Sequence, residues 1–230
     1  MSSSYDAVVV GGGPSGSAVA RDLAAQGFRV LLLEEHKAIG RPLHCSGLVT
    51  PRTLEIAGVG NQIRGAYVRT SSGKELVIGG DRVHALVIDR VRLDKLMASQ
   101  AQEAGARLEM ETRFLDFERQ GGLLRAYVEH KGRPRSLATK LLIGADGAHS
   151  RVAKLLGLHR LGGMVKGLGA EVVTSDAGQD LVEVLVDNSS APGWFGWVIP
   201  LGDGRVRLGT GVTDGFKPVD SLRTLAQRFP

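Results

Sequence analysis

The sequence predicts an α/β fold in which a parallel βαβ unit is interleaved with a mostly antiparallel β-sheet. Three observations predict it. A short apolar run, Tyr5 to Val10, ends in Gly11-Gly12-Gly13 and gives way to a helical period. A second apolar run, Phe28 to Leu33, closes on two acids, Glu34 and Glu35. Later, Gly167 to Val212 reads as several antiparallel strands.

Each element follows from local rules. Tyr5–Val10 and Phe28–Leu33 are continuous apolar runs, the pattern of strands buried on both faces. Pro14 to Gln26 is helical: Pro14 sits in the first turn, Ala18, Leu23 and Ala25 recur, and Gly27 stops the element. Ile39 to Asn61 is rich in Gly, Pro and Ser and reads as loop. Tyr67 to Ile78, interrupted by Ser71-Ser72-Gly73, reads as a hairpin. Asp89 to Ala104 has the helical period, with Val91, Leu93, Leu96, Met97 and Ala101 apolar, and Gly105 ends it. Arg107–Glu118, Leu123–His130 and Arg135–Ile143 are strand-like, and a short helix runs from Ser150 to Leu156. Asp180–Asp187 is a β-prone apolar strand, while Arg205 to Leu208 alternates like a strand with one wet face.

Composition narrows the class. The single cysteine forbids an internal disulfide and suits a reducing cytoplasmic setting. No apolar run approaches the ~18 residues that span a bilayer, and no basic leader opens the chain. The net charge of +5 comes from Lys and Arg spread along the sequence, so a compact nucleic-acid patch is not indicated. A diffuse basic balance is compatible with an anionic cofactor or with peripheral contact at a membrane, and equally with an ordinary solvated exterior.

The first chemistry lies at the strand–helix junction. Gly11, Gly13 and Gly16 fit G-x-G-x-x-G: the first permits a tight turn, the second admits a pyrophosphate to the backbone, and the third lets helix pack on sheet. Glu34, about 20 residues on, is placed to accept from a ribose hydroxyl. Glu35 is the competing acid and reads as solvated. This context implies a dinucleotide, without separating NAD from FAD.

The string Gly144-Ala145-Asp146-Gly147-Ala148-His149-Ser150-Arg151 resembles the second fingerprint of the p-hydroxybenzoate-hydroxylase-like flavoproteins, where an Asp-Gly pair supports the flavin nucleotide. Two further segments are similar to the geranylgeranyl reductase family. One is the cysteine-bearing loop Gly40-Arg41-Pro42-Leu43-His44-Cys45-Ser46-Gly47-Leu48. The other is Phe195-Gly196-Trp197-Val198-Ile199-Pro200 followed by Gly209-Thr210-Gly211, with Phe195 where Tyr is usual and Ile199 where Phe is usual.

The resemblance runs from Tyr5 to about Val212. It implies a Rossmann-like FAD-binding domain, residues 1–64 and 80–160, interleaved with a substrate-binding sheet, residues 65–79 and 161–230. It implies FAD contacts at Ser15, Glu34, Arg41, Cys45, Ser46 and Arg90, with Phe114 touching only through its backbone and Asp146 and Gly147 supporting the flavin. Phe195, Trp197, Pro200, Gly209 and Gly211 would line the substrate pocket. The implied activity is saturation of double bonds in a geranylgeranyl or other polyprenyl lipid or diphosphate, an isoprenoid lipid biosynthesis step. NADPH or ferredoxin would reduce the flavin. Aromatic hydroxylation on the same fold, and a catalytically silent flavin-binding fragment, are the competing expectations. Family members also carry a Gly-Asp-Ala segment opening a helix after the aromatic signature. None occurs here, so truncation at the C-terminus and weak FAD binding by this chain are expected.

Single residues have plainer readings beside these. Cys45 is either the proton donor beside the flavin or a small buried hydrophobe. Arg41 and Arg90 suit a pyrophosphate, or are surface arginines. His44 and His149 read as local hydrogen-bonders, and no second ligand stands at metal spacing. Trp194 and the pocket aromatics, like Phe114 and Phe117, would serve equally as core.

Overall fold

The computed structural model of the chain describes residues 4–43, 45–53, 60–158, 163–175 and 178–227. In chain order the first half holds β1 (Ser4–Val10), α1 (Pro14–Ala25), β2 (Val30–Leu33), β3 (Leu48–Val49), β4 (Asn61–Ile63), β5 (Gly65–Thr70), β6 (Glu75–Gly79), β7 (Ala85–Val87) and α2 (Arg90–Glu103). The second half holds β8 (Arg107–Glu109), β9 (Thr112–Gln120), β10 (Leu123–His130), β11 (Arg133–Gly144), α3 (Arg151–Leu155), β12 (Lys166–Val173), β13 (Leu181–Val186), β14 (Gly196–Pro200), β15 (Arg205–Val212) and α4 (Pro218–Ala226). They form two compact units, Met1–His44 with Arg90–Arg160 and Cys45–Asp89 with Leu161–Pro230.

The first unit is a six-stranded sheet in the order β8-β2-β1-β11-β10-β9. β8, β2, β1 and β11 run parallel, and β11, β10 and β9 continue as an antiparallel meander. Its parallel core is apolar on both faces, as the unbroken runs predict. Val9, Val30 and Leu32 pack with Ala20, Ala24 and Ala101 of α1 and α2. Val8, Val10, Leu31 and Leu33 cluster on the other side with Phe114, Val128, Leu137 and Val152.

The second unit carries a sheet in the order β12-β15-β14-β13-β5-β6 and a small one in the order β3-β7-β4. Leu225 of α4 packs with Leu185, Val198, Val206 and Leu208 of the large sheet. The small sheet contributes Ile63 and Val87 to a second cluster with Val182 and Ile199.

Several expectations are corrected. Arg107–Glu118 is two strands, because β8 pairs with β2 while β9 pairs with β10 at the opposite edge, and one straight strand cannot do both. The break falls at Glu111, whose φ is 52°. The second buried strand begins at Val30 rather than Phe28, which is 47% exposed after the turn at Gly27. The strands of Gly167–Val212 pair antiparallel with one another as expected, and β13 adds one parallel pairing, to the earlier β5. The expected division at residues 64 and 80 gives way to divisions after His44 and Asp89. The physical reason is that β3, β4 and β7 hydrogen-bond to one another and bury Ile63 and Val87 in the second unit. Of the long loop, residues 54–59 lie outside the described residues, and Leu48–Val49 is a short strand. Among the described residues no helix is long and apolar enough to cross a membrane.

One ion pair at the sheet margin has a pH consequence. Asp6 accepts from Lys140 Nζ at 2.8 Å and from the Arg29 N–H at 2.9 Å, tying β1 to β11 and to the start of β2. The Lys140 hydrogen bond first, and the Arg29 amide second, hold the Asp6 carboxyl below its ordinary value. A carboxylate lowered on folding stabilises the fold above its unfolded value and ceases to as pH falls through the folded one. Asp6→Asn should therefore lower the melting temperature slightly at neutral pH and leave the two proteins converging in acid, which thermal melts from pH 3 to 7 will read.

Candidate dinucleotide site

The turn after β1 owes its course to three close approaches. Gly11 has φ +105°, and a Cβ there would strike the Ala145 carbonyl, standing 2.7 Å from its carbon. A Cβ on Gly16 would strike the Gly11 carbonyl oxygen, which is how the first turn of α1 comes to lie on the loop. Gly12, absent from the expected set, is less constrained: a Cβ there would fall 2.7 Å from Ile39 Cδ1, the end of a side chain rather than backbone. Gly13 differs: nothing lies within 4 Å of its added Cβ, and it caps α1 without a side-chain hydrogen bond. That opening at a helix N-terminus, where backbone N–H groups and the dipole favour an anion, fits a pyrophosphate.

Glu34 closes the other end. Its side chain is 12% exposed, and its backbone is held by N–H to Glu109 carbonyl and carbonyl to Thr112 N–H bonds of 2.9 and 2.8 Å. Oε2 accepts the Gly12 N–H at 2.9 Å. Oε1 accepts the His36 N–H at 2.9 Å and meets the His36 ring Nδ1 at 2.6 Å. The phosphate turn itself thus orients the acid that a ribose would meet. Glu35 is exposed, as expected, although it also borders the cavity.

The second fingerprint folds as a helix cap. Asp146 Oδ1 accepts from Ser150 Oγ at 2.6 Å, and Oδ2 accepts the Arg151 and Val152 N–H groups at 2.6 and 3.2 Å. Ser150 Oγ in turn accepts the Ala153 N–H at 3.0 Å. Asp146 therefore sets the loop into α3, and Gly147 makes its turn with φ +73°.

These parts surround one cavity of about 590 Å³ within the first unit. Gly11, Gly13, Glu34, Arg41, Phe114, Asp146 and Gly147 line it, together with His36, Asp94, Arg113, His149 and Arg151, which the sequence reading did not select as ligands. Arg151 and His149 stood inside the quoted motif, and Arg113 beside Phe114, so their positions were visible although their roles were not. Ser15 and Arg90 are not among the lining residues. Arg90 instead forks onto buried Asp94, with Nε and Nη2 donating to Oδ1 at 3.2 and 3.0 Å.

Cys45 and Ser46 belong to the second unit. Cys45 is half-buried, and its Sγ accepts the Gly47 N–H at 3.4 Å. His44 lies outside the described residues. In the same unit the aromatic signature forms a ladder. Trp194 stacks on Phe195 at 5.3 Å between centroids, and Phe195 meets Trp197 edge-on at 6.0 Å. Trp197 pairs across β14–β15 with Gly209, and its indole occupies the space where a Cβ would stand. Trp194 does the same over Gly211, with Cγ 2.9 Å from an added Cβ. The two glycines are seats for two indoles, and Pro200 is buried at the end of β14.

Comparison with known proteins agrees with this geometry. The family model described as an FAD binding domain matches residues 4–208. A digeranylgeranylglycerophospholipid reductase of Methanocaldococcus jannaschii is 31% identical over 221 residues, covering 91% of this chain and 56% of that protein. Digeranylgeranylglycerophospholipid reductase 2 of Methanopyrus kandleri is 32% identical over 238 residues, covering 96% and 58%. A crystal structure of a geranylgeranyl bacteriochlorophyll reductase-like protein from Thermoplasma acidophilum aligns with a TM-score of 0.88 at 26% identity, covering 99% of this chain and 62% of that one. The chain thus spans a little over half the length of the curated relatives it matches.

Because Glu34 alone of the two acids is held against the turn, Glu34→Ala should weaken FAD binding about ten- to hundredfold, the loss of one charged hydrogen bond. Glu35→Ala should change it little. Flavin fluorescence titration compares the two, and equal losses would place the ribose elsewhere.

Proposed function

The chain belongs to the FAD binding domain family, and from that premise we propose that it is the flavin-holding part of a reductase that saturates double bonds in a geranylgeranyl or other polyprenyl lipid. The observation that carries the substrate class is similarity over nine tenths of the chain to relatives named for that activity. The aromatic ladder over Gly209 and Gly211 supports it, since three adjoining rings offer apolar faces to a long hydrocarbon chain.

When bound and reduced by an external donor such as NADPH or ferredoxin, FAD would be the source of hydride. The residues supply the rest. Gly13 and the first turn of α1 would hold the pyrophosphate, Glu34 would accept from the ribose, and Arg41, Arg113 and Arg151 offer positive charge at the cavity. An isolated alkene accepts hydride poorly unless a proton reaches it. The Cys45 thiol is the proposed donor of that proton, regaining one from solvent after each turnover. Trp197 stabilises positive charge developing on the alkene through its ring quadrupole. The product gains two hydrogens per bond, one as proton and one as hydride, and no oxygen.

The test supplies chemically reduced FAD and a geranylgeranyl lipid to the chain or to a longer protein that carries it, with products read by mass spectrometry. Masses should rise by pairs of hydrogens. Cys45→Ser should slow that conversion while leaving flavin affinity largely intact, and Trp197→Ala should lower rate more than affinity. Products that gain an oxygen atom from O2, with no hydrogenated lipid, would establish a hydroxylase instead.

A further inference from the structure

The loop that carries Cys45 is held by a residue far away in sequence. On one side its Gly47 carbonyl accepts the Ile88 N–H at 2.9 Å. On the other, Arg207 of β15 donates through Nη1 to the Ser46 carbonyl oxygen, across 161 residues of chain. A Cβ on Gly47 would stand 2.6 Å from that Nη1 and 2.5 Å from the Ile88 oxygen, so the loop backbone lies flush against both.

Arg207 is itself fixed. Its Nε and Nη2 donate to Glu171 Oε1 at 3.2 and 2.6 Å, and Glu171 is its direct partner across β12–β15. The Arg207 side chain is 12% exposed, whereas that of Arg205, which shares Glu171 and also pairs with Asp203, is 46% exposed. A guanidinium needs only the carboxylate to be neutralised. Of the three N–H donors left over, one on Nη1 goes to the Ser46 carbonyl in the loop, and the planar fork lets one side chain serve both acceptors at once.

We propose that Arg207 is a positioning residue that fixes the Cys45–Gly47 loop and so the place of the Cys45 thiol. Its functional meaning rests on the reading of Cys45 as proton donor, while the clamp rests on the geometry alone. Without the guanidinium the Ser46 carbonyl loses its partner, the loop is freed on one side, and the thiol is reached more readily.

The chain holds one cysteine, so alkylation by N-ethylmaleimide at fixed pH reports on Cys45 alone. Arg207→Gln should raise that rate about tenfold, the scale of one charge-assisted hydrogen bond. Arg207→Lys, which keeps the charge and puts its donors on one nitrogen instead of a planar fork, should fall between. Glu171→Gln should raise the rate in the same direction but by less, and Arg205→Gln should leave it unchanged. If Arg207→Gln does not fold by circular dichroism, Glu171→Gln and Arg207→Lys decide. Wild-type rates in the folded variants overturn the proposal, as does an equal rise in Arg205→Gln, which would mark general loosening of β15. A Cys45→Ser protein that still hydrogenates lipid at full rate overturns the proton-donor reading and leaves the clamp standing.

Discussion

The hydrogen bond from the Gly12 amide to the Glu34 carboxylate ties the turn after β1 to the end of β2, and the dinucleotide site is organised around it. A carboxylate this far from solvent needs donors, and an unmet one costs more than the bond contributes. Here the donors are backbone and a histidine: Gly12 on one oxygen, His36 on the other. A Cβ at position 12 would press on the tip of Ile39 and on the Glu34 side chain itself, so a larger residue there would disturb the bond unless both gave way. Gly13 is left as the open position of the turn, so the face proposed for an anion and the acid proposed for a ribose are set by one piece of backbone.

The second unit solves a different packing problem with the same residue. Glycine in a strand is normally a weakness, losing side-chain contacts and backbone order. At Gly209 and Gly211 the missing side chains are replaced by the indoles of Trp197 and Trp194, laid across the strand. The cross-strand ring covers the exposed backbone and is in turn held flat by it. Phe195 bridges the two indoles, so the signature Trp194-Phe195-Gly196-Trp197 and the later Gly-x-Gly are two halves of one contact.

Much of this was legible from local pattern. β1, α1 and β2 came from continuous apolar runs bracketing Gly11–Gly16, because strand, turn and helix there are specified by neighbours in sequence. The hairpin around Ser71–Gly73 and the α2 period were legible for the same reason. The failures share a cause. Arg107–Glu118 has the composition of one strand, and only pairing with β2 at one end and β10 at the other breaks it at Glu111. Ile39 to Asn61 has Gly, Pro and Ser enough to read as loop, and the chain up to residue 64 was expected in the first domain. The hydrogen bonds of β3 and β4 to β7 place those strands in the second unit.

The residues of the site divide along the same line. The sequence by itself determined the glycine turn and the acid at the end of β2, and it marked the Asp146-Gly147 and aromatic-glycine segments by resemblance, since each is a motif with its own spacing. That the first is a helix cap and the second an indole laid on glycine came from the structure. Only the tertiary structure decided that Arg90 turns to Asp94, that His36 and Gly12 hold Glu34, and that Arg207 reaches the Ser46 carbonyl. Such partners are chosen by which side chains meet across strands and loops after folding, and a guanidinium on β15 carries no mark in the sequence of the loop it will bind.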